Sequence, residues 1–435
     1  MLYTIFVKNY KSIHKVDIDV GTFNVLIGEN GAGKSNFLEA LASYSAIVAN
    51  NFSNEFMLSR GIRVVEPTDI FSCFNGKTED SVTIITGDTS RYASFITISL
   101  DQNEPFSPLK YDYQIFHNSL NEIDNDDFEV LNVRELKDNF LKEKIEQVTK
   151  QEFGSVESFQ SELDYILKSI SSAIHDEKNY NSDKKEKVKR VSKYINVLGE
   201  IKKNVFDIYH NSEKHKDKNF VVYSPELSSL RVFSSESQIE PLGVNGEGLL
   251  RLLQVMQEHE PENFAKVCKT VEMFQWVEKI IIDEESSNLE HRVKIVDRFM
   301  GRTIDHRSAN EGFLFVLFYA ALFSSKFTPQ SFAVDNIDAS LNPHLCTILI
   351  KELVALAKEN GKQAFVTTHN PAILDGLNLH DDEQRLFVVE RDDEGATQLR
   401  RVGIDDLPKA KRNGETIKLS ESFMRGHLGG LPTNF

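Results

Sequence analysis

Eight consecutive residues, Gly28-Glu29-Asn30-Gly31-Ala32-Gly33-Lys34-Ser35, satisfy G-x-x-x-x-G-K-[ST] at every position. No other feature of the chain restricts its fold so much, because this loop needs a buried strand before it and a helix after it. Both are legible. Phe23-Asn24-Val25-Leu26-Ile27 is a short apolar strand running straight into the glycines, and Lys34 to about Ala49 reads as a helix. In such a loop the backbone N–H groups of Asn30, Gly31, Ala32 and Gly33 turn inward to cradle phosphates. The helix N-terminus adds partial positive charge, Lys34 reaches the β and γ oxygens, Ser35 coordinates Mg²⁺, and Asn36 follows in the first turn. The expected ligands are ATP and Mg²⁺.

A second constellation lies near the other end. Ser331-Phe332-Ala333-Val334-Asp335 is an apolar strand ending in a carboxylate suited to holding Mg²⁺, in the manner of a Walker B strand. Asn342 and Pro343 start a helix that runs past Ile348 and Leu353. Gln363 to Thr368 is another buried strand, ending at His369, and Asn370-Pro371 begins a further helix. A histidine in that place reads as a γ-phosphate switch. Phe313 to Phe323 is the longest apolar run, about half the ~20 residues of a membrane span, and reads as a buried helix opened by Ser308-Ala309-Asn310-Glu311-Gly312.

This order of motifs resembles the ABC-type ATPases that include the SMC, RecF and OLD families. The resemblance covers roughly residues 1 to 125 and 219 to 435. It implies an α/β fold, an ABC-type head of mixed sheet lobes with flanking helices, in which two heads pair head to tail around two ATP molecules. Asn310 and Gly312 then match the S-x-G of the signature segment, which touches the ATP held by the opposite subunit. Asn310 either contacts that phosphate or simply caps its helix. Ala339-Ser340-Leu341-Asn342 matches the D-loop, and Lys11 matches the basic residue of N-[FY]-[RK]-S that approaches the nucleotide. The family places a catalytic Glu after the Mg²⁺ carboxylate, and here that place is Asn336. An amide can orient water but cannot take its proton, and general-base help is commonly worth about 10²–10⁴ in rate. Asp338 substitutes only if the loop bends it inward. Slow or absent hydrolysis is expected, with Asn336, Asp338 and His369 as the residues that bear on it.

Between the two halves, residues 126 to 218 read as an inserted helical domain: glycine nearly vanishes, and apolar residues recur at three and four, as in Phe159, Leu163 and Ile166. The expected division is therefore 1–125, 126–218 and 219–435. The whole chain carries a net charge of −16, which disfavours indiscriminate coating of nucleic acid. Lys184 to Lys218 is the exception, with eleven Lys/Arg against five Asp/Glu; it is either a solvated helical face or a phosphate-contacting stripe. Cys73, Cys268 and Cys346 are scattered and suit a reducing cytoplasm. No apolar run is long enough for a membrane span. A head with a helical insert and no nuclease constellation after it is similar to ATPase subunits of bacterial antiphage systems. Examples are PtuA of Septu, whose partner is an HNH nuclease, and the ATPase of PARIS, whose partner is a Toprim-like effector. That resemblance implies an ATP-binding scaffold and sensor, at least a homodimer, controlling a separate nuclease and reaching DNA through the complex. The rival expectation is a RecF- or SMC-like repair ATPase acting on DNA itself.

Overall fold

The computed structural model describes residues 1–88, 92–100, 109–117, 219–231, 241–282, 293–407 and 417–430. The chain divides into two compact units, Met1–Asn118 with Asp217–Phe435, and Ser119–Lys216. Every described residue belongs to the first. The expected helical insert and its basic stretch lie outside the described residues.

Three strands and a helix open the chain: β1 (Leu2–Tyr10), β2 (Ile13–Asp19), β3 (Phe23–Gly28) and α1 (Lys34–Val48). A short helix α2 (Asn54–Leu58), a small hairpin of β4 (Cys73–Phe74) and β5 (Lys77–Thr78), and strands β6 (Ser81–Asp88), β7 (Tyr92–Ser99) and β8 (Lys110–His117) follow. After the second unit come β9 (Val221–Tyr223), α3 (Leu227–Leu230), α4 (Leu249–His259) and α5 (Pro261–Val271). Next are β10 (Val277–Ile282), β11 (Val293–Asp297), β12 (Arg302–Asp305) and α6 (Glu311–Ser324). The remainder is β13 (Ser331–Val334), α7 (Pro343–Asn360), β14 (Gln363–Thr368), β15 (Gln384–Arg391), β16 (Thr397–Val402) and α8 (Leu419–Met424).

The central sheet has six strands in the order β16-β15-β3-β14-β13-β9, all parallel except the β15–β16 pair. A second, antiparallel sheet runs β2-β1-β6-β7-β8, and a third β10-β11-β12. The middles of β3, β13, β14 and β15 are apolar because both faces are covered. Alternation sends Leu26, Ala333, Phe365 and Phe387 to one core with α1 and the second sheet. The other face, with Val25, Ile27, Phe332, Val334 and Val366, packs against α4, α5, α6 and α7. Helix α6 is buried from Phe313 to Ser324, as its apolar run requires. The α/β reading of the sequence is the observed architecture.

Strand β1 runs to Tyr10, with Asn9 and Lys11 in the left-handed region at φ 61° and 49°. One local expectation changes. The helix expected after Asn370 is a 3₁₀ segment, Pro371–Gly376, closed by i to i+3 bonds such as Leu377 N–H to Leu374 O at 3.1 Å.

Candidate nucleotide site

The C-terminal ends of β3, β13 and β14 converge, because the three strands are parallel and β14 pairs with both of the others. Each delivers one polar group to the same edge. The loop after β3 turns through Gly31 at φ 82° and Gly33 at φ 107° before α1 begins. Gly33 is required twice over: its φ disfavours side chains, and a Cβ there would lie 2.1 Å from Thr397 Oγ1. Lys34 is buried and donates to the carbonyls of Gly28 at 2.9 Å and Glu29 at 2.8 Å. Burial pulls its pKa down to about 8, against the opposing pull of Asp335, Asp338 and Glu29.

Ser35 Oγ donates to Asp335 Oδ2 at 3.0 Å, and Thr367 Oγ1 donates to Asp335 Oδ1. A hydroxyl and a carboxylate oxygen therefore meet where the P-loop faces β13. These hard oxygen donors suit Mg²⁺, which takes few protein ligands and completes its shell with phosphate and water. Among the described residues no group of three or more His, Cys, Asp or Glu gathers to hold a metal by itself. The site fits a cation brought with its nucleotide.

Beyond Asp335 the chain turns sharply. Asn336 has φ 56°, is exposed, and gives its backbone N–H to Thr367 Oγ1 at 2.8 Å. Asp338 is half-buried and does bend inward: it accepts from Thr368 Oγ1 at 2.6 Å and acts electrostatically on Lys34 and His369. His369 follows directly on β14. Its pKa is lowered by partial burial and by the Lys34 ammonium, so the ring is neutral near pH 7.

Lys11 is placed differently from a free phosphate ligand. Its ammonium pairs with Glu39, a carboxylate 3% exposed on α1, which also takes Arg63 Nε at 2.5 Å. Arg63 Nη2 reaches Asn36 Oδ1 at 3.0 Å, and Asn36 Nδ2 donates to Ser12 Oγ at 2.7 Å. Ser12 and Thr397 hydroxyls lie 2.7 Å apart, and Thr397 Oγ1 donates to Ala32 O at 2.8 Å. Asn36 is thus part of a polar chain bracing the P-loop from outside. Asn30 and Gly31 are exposed, and Ala32 is buried.

Asn310 is the N-cap of α6, its Oδ1 accepting the Phe313 N–H at 2.8 Å. Its residue remains exposed, as do Ser308 and Glu311. Gly312 packs on the following loop, where an added Cβ would meet Ser340 O at 3.2 Å; Ser340 Oγ also donates to Glu311 Oε2 at 3.0 Å. Glu39, Arg63, Thr367 and Thr397 went unread in the sequence. Of these only Glu39 carries a signal, an acid four residues past Ser35 on an otherwise apolar helix face.

A family model described as "AAA domain, putative AbiEii toxin, Type IV TA system" matches residues 23–375, spanning the P-loop, Asp335 and His369. The chain belongs to this family. As a member, it is a P-loop ATPase-type chain, a class that uses nucleotide and typically Mg²⁺. No curated protein matches the sequence. Among solved structures, one similar to this AAA-domain chain is an SMC head bound to the C-winged helix domain of ScpA, at 12% identity, TM-score 0.49, 93% of this chain and 98% of that one. Another is an SMC head from Pyrococcus furiosus with an extended coiled coil, bound to the C-terminal domain of ScpA, at 14%, 0.44, 93% and 96%. A third is the SMC head domain from Thermotoga maritima, at 12%, 0.41, 93% and 99%. Among the described residues of this family member, no helix is long and apolar enough to cross a membrane.

Proposed function

We propose that the chain is an ATP-binding scaffold and sensor that holds Mg-ATP far longer than it hydrolyses it. The observation that carries this reading is the pairing of an intact phosphate and Mg²⁺ arrangement with Asn336 next to the Mg²⁺ carboxylate. Lys34, Ser35 and Asp335 supply everything binding needs. Asn336, next to the Mg²⁺ carboxylate in an exposed, left-handed turn, supplies no proton acceptor. In the bound state Lys34 would leave the Gly28 and Glu29 carbonyls for the β and γ phosphates, and Ser35 with Asp335 would hold the cation.

Two copies paired head to tail would bring the exposed Asn310 and Gly312 end of α6 to the other copy's phosphates, so that bound ATP holds the pair together. The ATP-held pair in turn restrains a separate nuclease, HNH-type in the favoured case, as part of a bacterial antiphage complex. The toxin–antitoxin wording of the matched family agrees with a defence role. Purifying the chain with its genomic neighbour tests this. Recovery of a nuclease together with intact ATP supports the reading; recovery of a repair or replication protein sinks the defence role.

A further inference from the structure

The segment that contains α8 supplies no group to the site, yet it reaches both the His369 side and the Gly28 side. At its start Ser420 donates twice to the Asp375 carboxylate, from N–H at 3.0 Å and from Oγ at 2.8 Å. Asp375 lies in Pro371–Gly376, the 3₁₀ segment just behind His369. Phe423, 4% exposed, and Leu428, 0% exposed, then sink into the core that holds Ile27 and Val388. Arg400 Nη2 donates to the Leu428 carbonyl, and the Gly430 N–H reaches Glu390 Oε2 at 3.3 Å. Here the chain arrives beside the first glycine of the phosphate loop. A Cβ on Gly430, which has φ 74°, would stand 3.8 Å from Gly28 Cα and 2.6 Å from Val388 Cγ1. Gly28 has no slack of its own, since a Cβ there would lie 2.0 Å from Val389 O. The approach of the two backbones depends on glycine at both positions.

Resting on the ATP-binding reading, we propose that residues 419–430 form a positioning strap for the phosphate loop. The strap fixes Gly28 relative to the segment behind His369, so that strap docking and nucleotide binding strengthen each other. The reason lies in Lys34. In the nucleotide-free protein its ammonium ties down the carbonyls of Gly28 and Glu29, at 2.9 and 2.8 Å. Phosphate takes that ammonium away, so the start of the loop loses two internal hydrogen bonds when the ligand arrives. What holds Gly28 afterwards is its pairing with Val389 and the strap packed beside it. A loop already fixed from outside loses less entropy on binding, which raises affinity. Coupling is reciprocal, so nucleotide tightens the strap by the same factor. The Asp375 anchor ties the strap to the His369 side, and losing it frees one end of the segment.

The test is hydrogen–deuterium exchange of the full chain, with and without Mg²⁺ and a non-hydrolysable ATP analogue. Amides of residues 419–428 should exchange about tenfold more slowly with the analogue bound, the ordinary scale of coupling between two sites. Helix α5, which gives no residue to the site, is the reference. A segment that merely packs on the fold slows only as much as α5 does. Ser420→Ala removes the anchor and leaves Phe423 and Leu428 in place. It should speed exchange of the strap and weaken analogue binding by equal factors, with exchange in α5 unchanged. Should that variant not fold, the wild-type comparison decides by itself. Equilibrium dialysis on the same samples measures retained nucleotide. Analogue retained while strap and α5 slow alike overturns the inference alone, as does a Ser420→Ala strap that loosens at unchanged affinity. No analogue retained overturns the ATP-binding reading and the inference with it.

Discussion

Ser35 Oγ donates to Asp335 Oδ2 over 3.0 Å, joining the first turn of α1 to the end of β13 across 300 residues of chain. Nothing local fixes this bond. It exists because β3 and β13 flank β14 in one parallel sheet and end at the same edge. The same two oxygens are the Mg²⁺ ligands of the proposed site.

Asp335→Asn keeps an oxygen to accept from Ser35 but removes the charge that holds the cation. Fold stability should change little. Mg²⁺ should no longer strengthen nucleotide binding, and affinity should fall by at least about tenfold, the scale of a lost charged contact. Calorimetric titration with and without Mg²⁺ reads both. An undiminished Mg²⁺ effect would remove Asp335 from the metal site.

Nucleotide affinity should depend on pH through Lys34. Its pKa is depressed to about 8 in the free protein. Bound phosphate favours the ammonium and raises that pKa, so by linkage affinity is full below about pH 8. Above that it falls, by up to about tenfold per pH unit, until the bound-state pKa is reached. His369 does not intrude, because its own pKa is lowered from the ordinary histidine value and the ring is already neutral there. Dissociation constants for Mg-ATP from pH 6.5 upward give the profile on this assay scale, roughly three units wide. Lys34→Met should bind weakly at every pH with no step near 8.

Glu39 should matter for stability more than either of its cations suggests. Its side chain is 3% exposed and that of Lys11 10%, so Glu39→Ala strands a buried ammonium and should cost about 3 kcal/mol. Arg63 is 64% exposed, and solvent screens its share; Arg63→Ala should cost less than about 1 kcal/mol. Chemical denaturation of the two variants checks the ordering. Equal losses would mean that the cluster is solvated in solution.

Where the candidate site is built of contiguous residues, their placement was legible in the sequence. The loop from Gly28 to Ser35, the strand into Asp335 and the strand into His369 all stand where their patterns put them, because burial on both faces leaves an unbroken apolar run. What could not be read depends on contacts made far along the chain. Lys11 resembled a phosphate ligand, yet it is held by Glu39, 28 residues on. Thr397 touches Ser12 and the Ala32 carbonyl from β16, and no local pattern announces that. The inward turn of Asp338 rests on the left-handed φ of Asn336 and on the Thr368 hydroxyl, neither of which has a sequence period. The role of Asn310 as a cap needed the Phe313 N–H to be located.

In the proposed function, hydrolysis turns on Asn336. The central claim is that Mg-ATP is held and hardly turned over, since the residue after Asp335 cannot accept a proton. Asn336→Glu should raise turnover, although a glutamate at φ 56° is strained by about 1 kcal/mol and the gain will be partial. The most direct measurement is steady-state phosphate release by the wild-type chain at saturating Mg-ATP, beside Asn336→Glu and Asp338→Asn. Loss of general-base help by 10²–10⁴ from a common enzyme turnover of about 10 s⁻¹ predicts roughly 0.1 to 0.001 s⁻¹, with ATP recovered intact from the site and Asn336→Glu faster. Wild-type release near 10 s⁻¹, abolished by Asp338→Asn and little changed by Asn336→Glu, would contradict it.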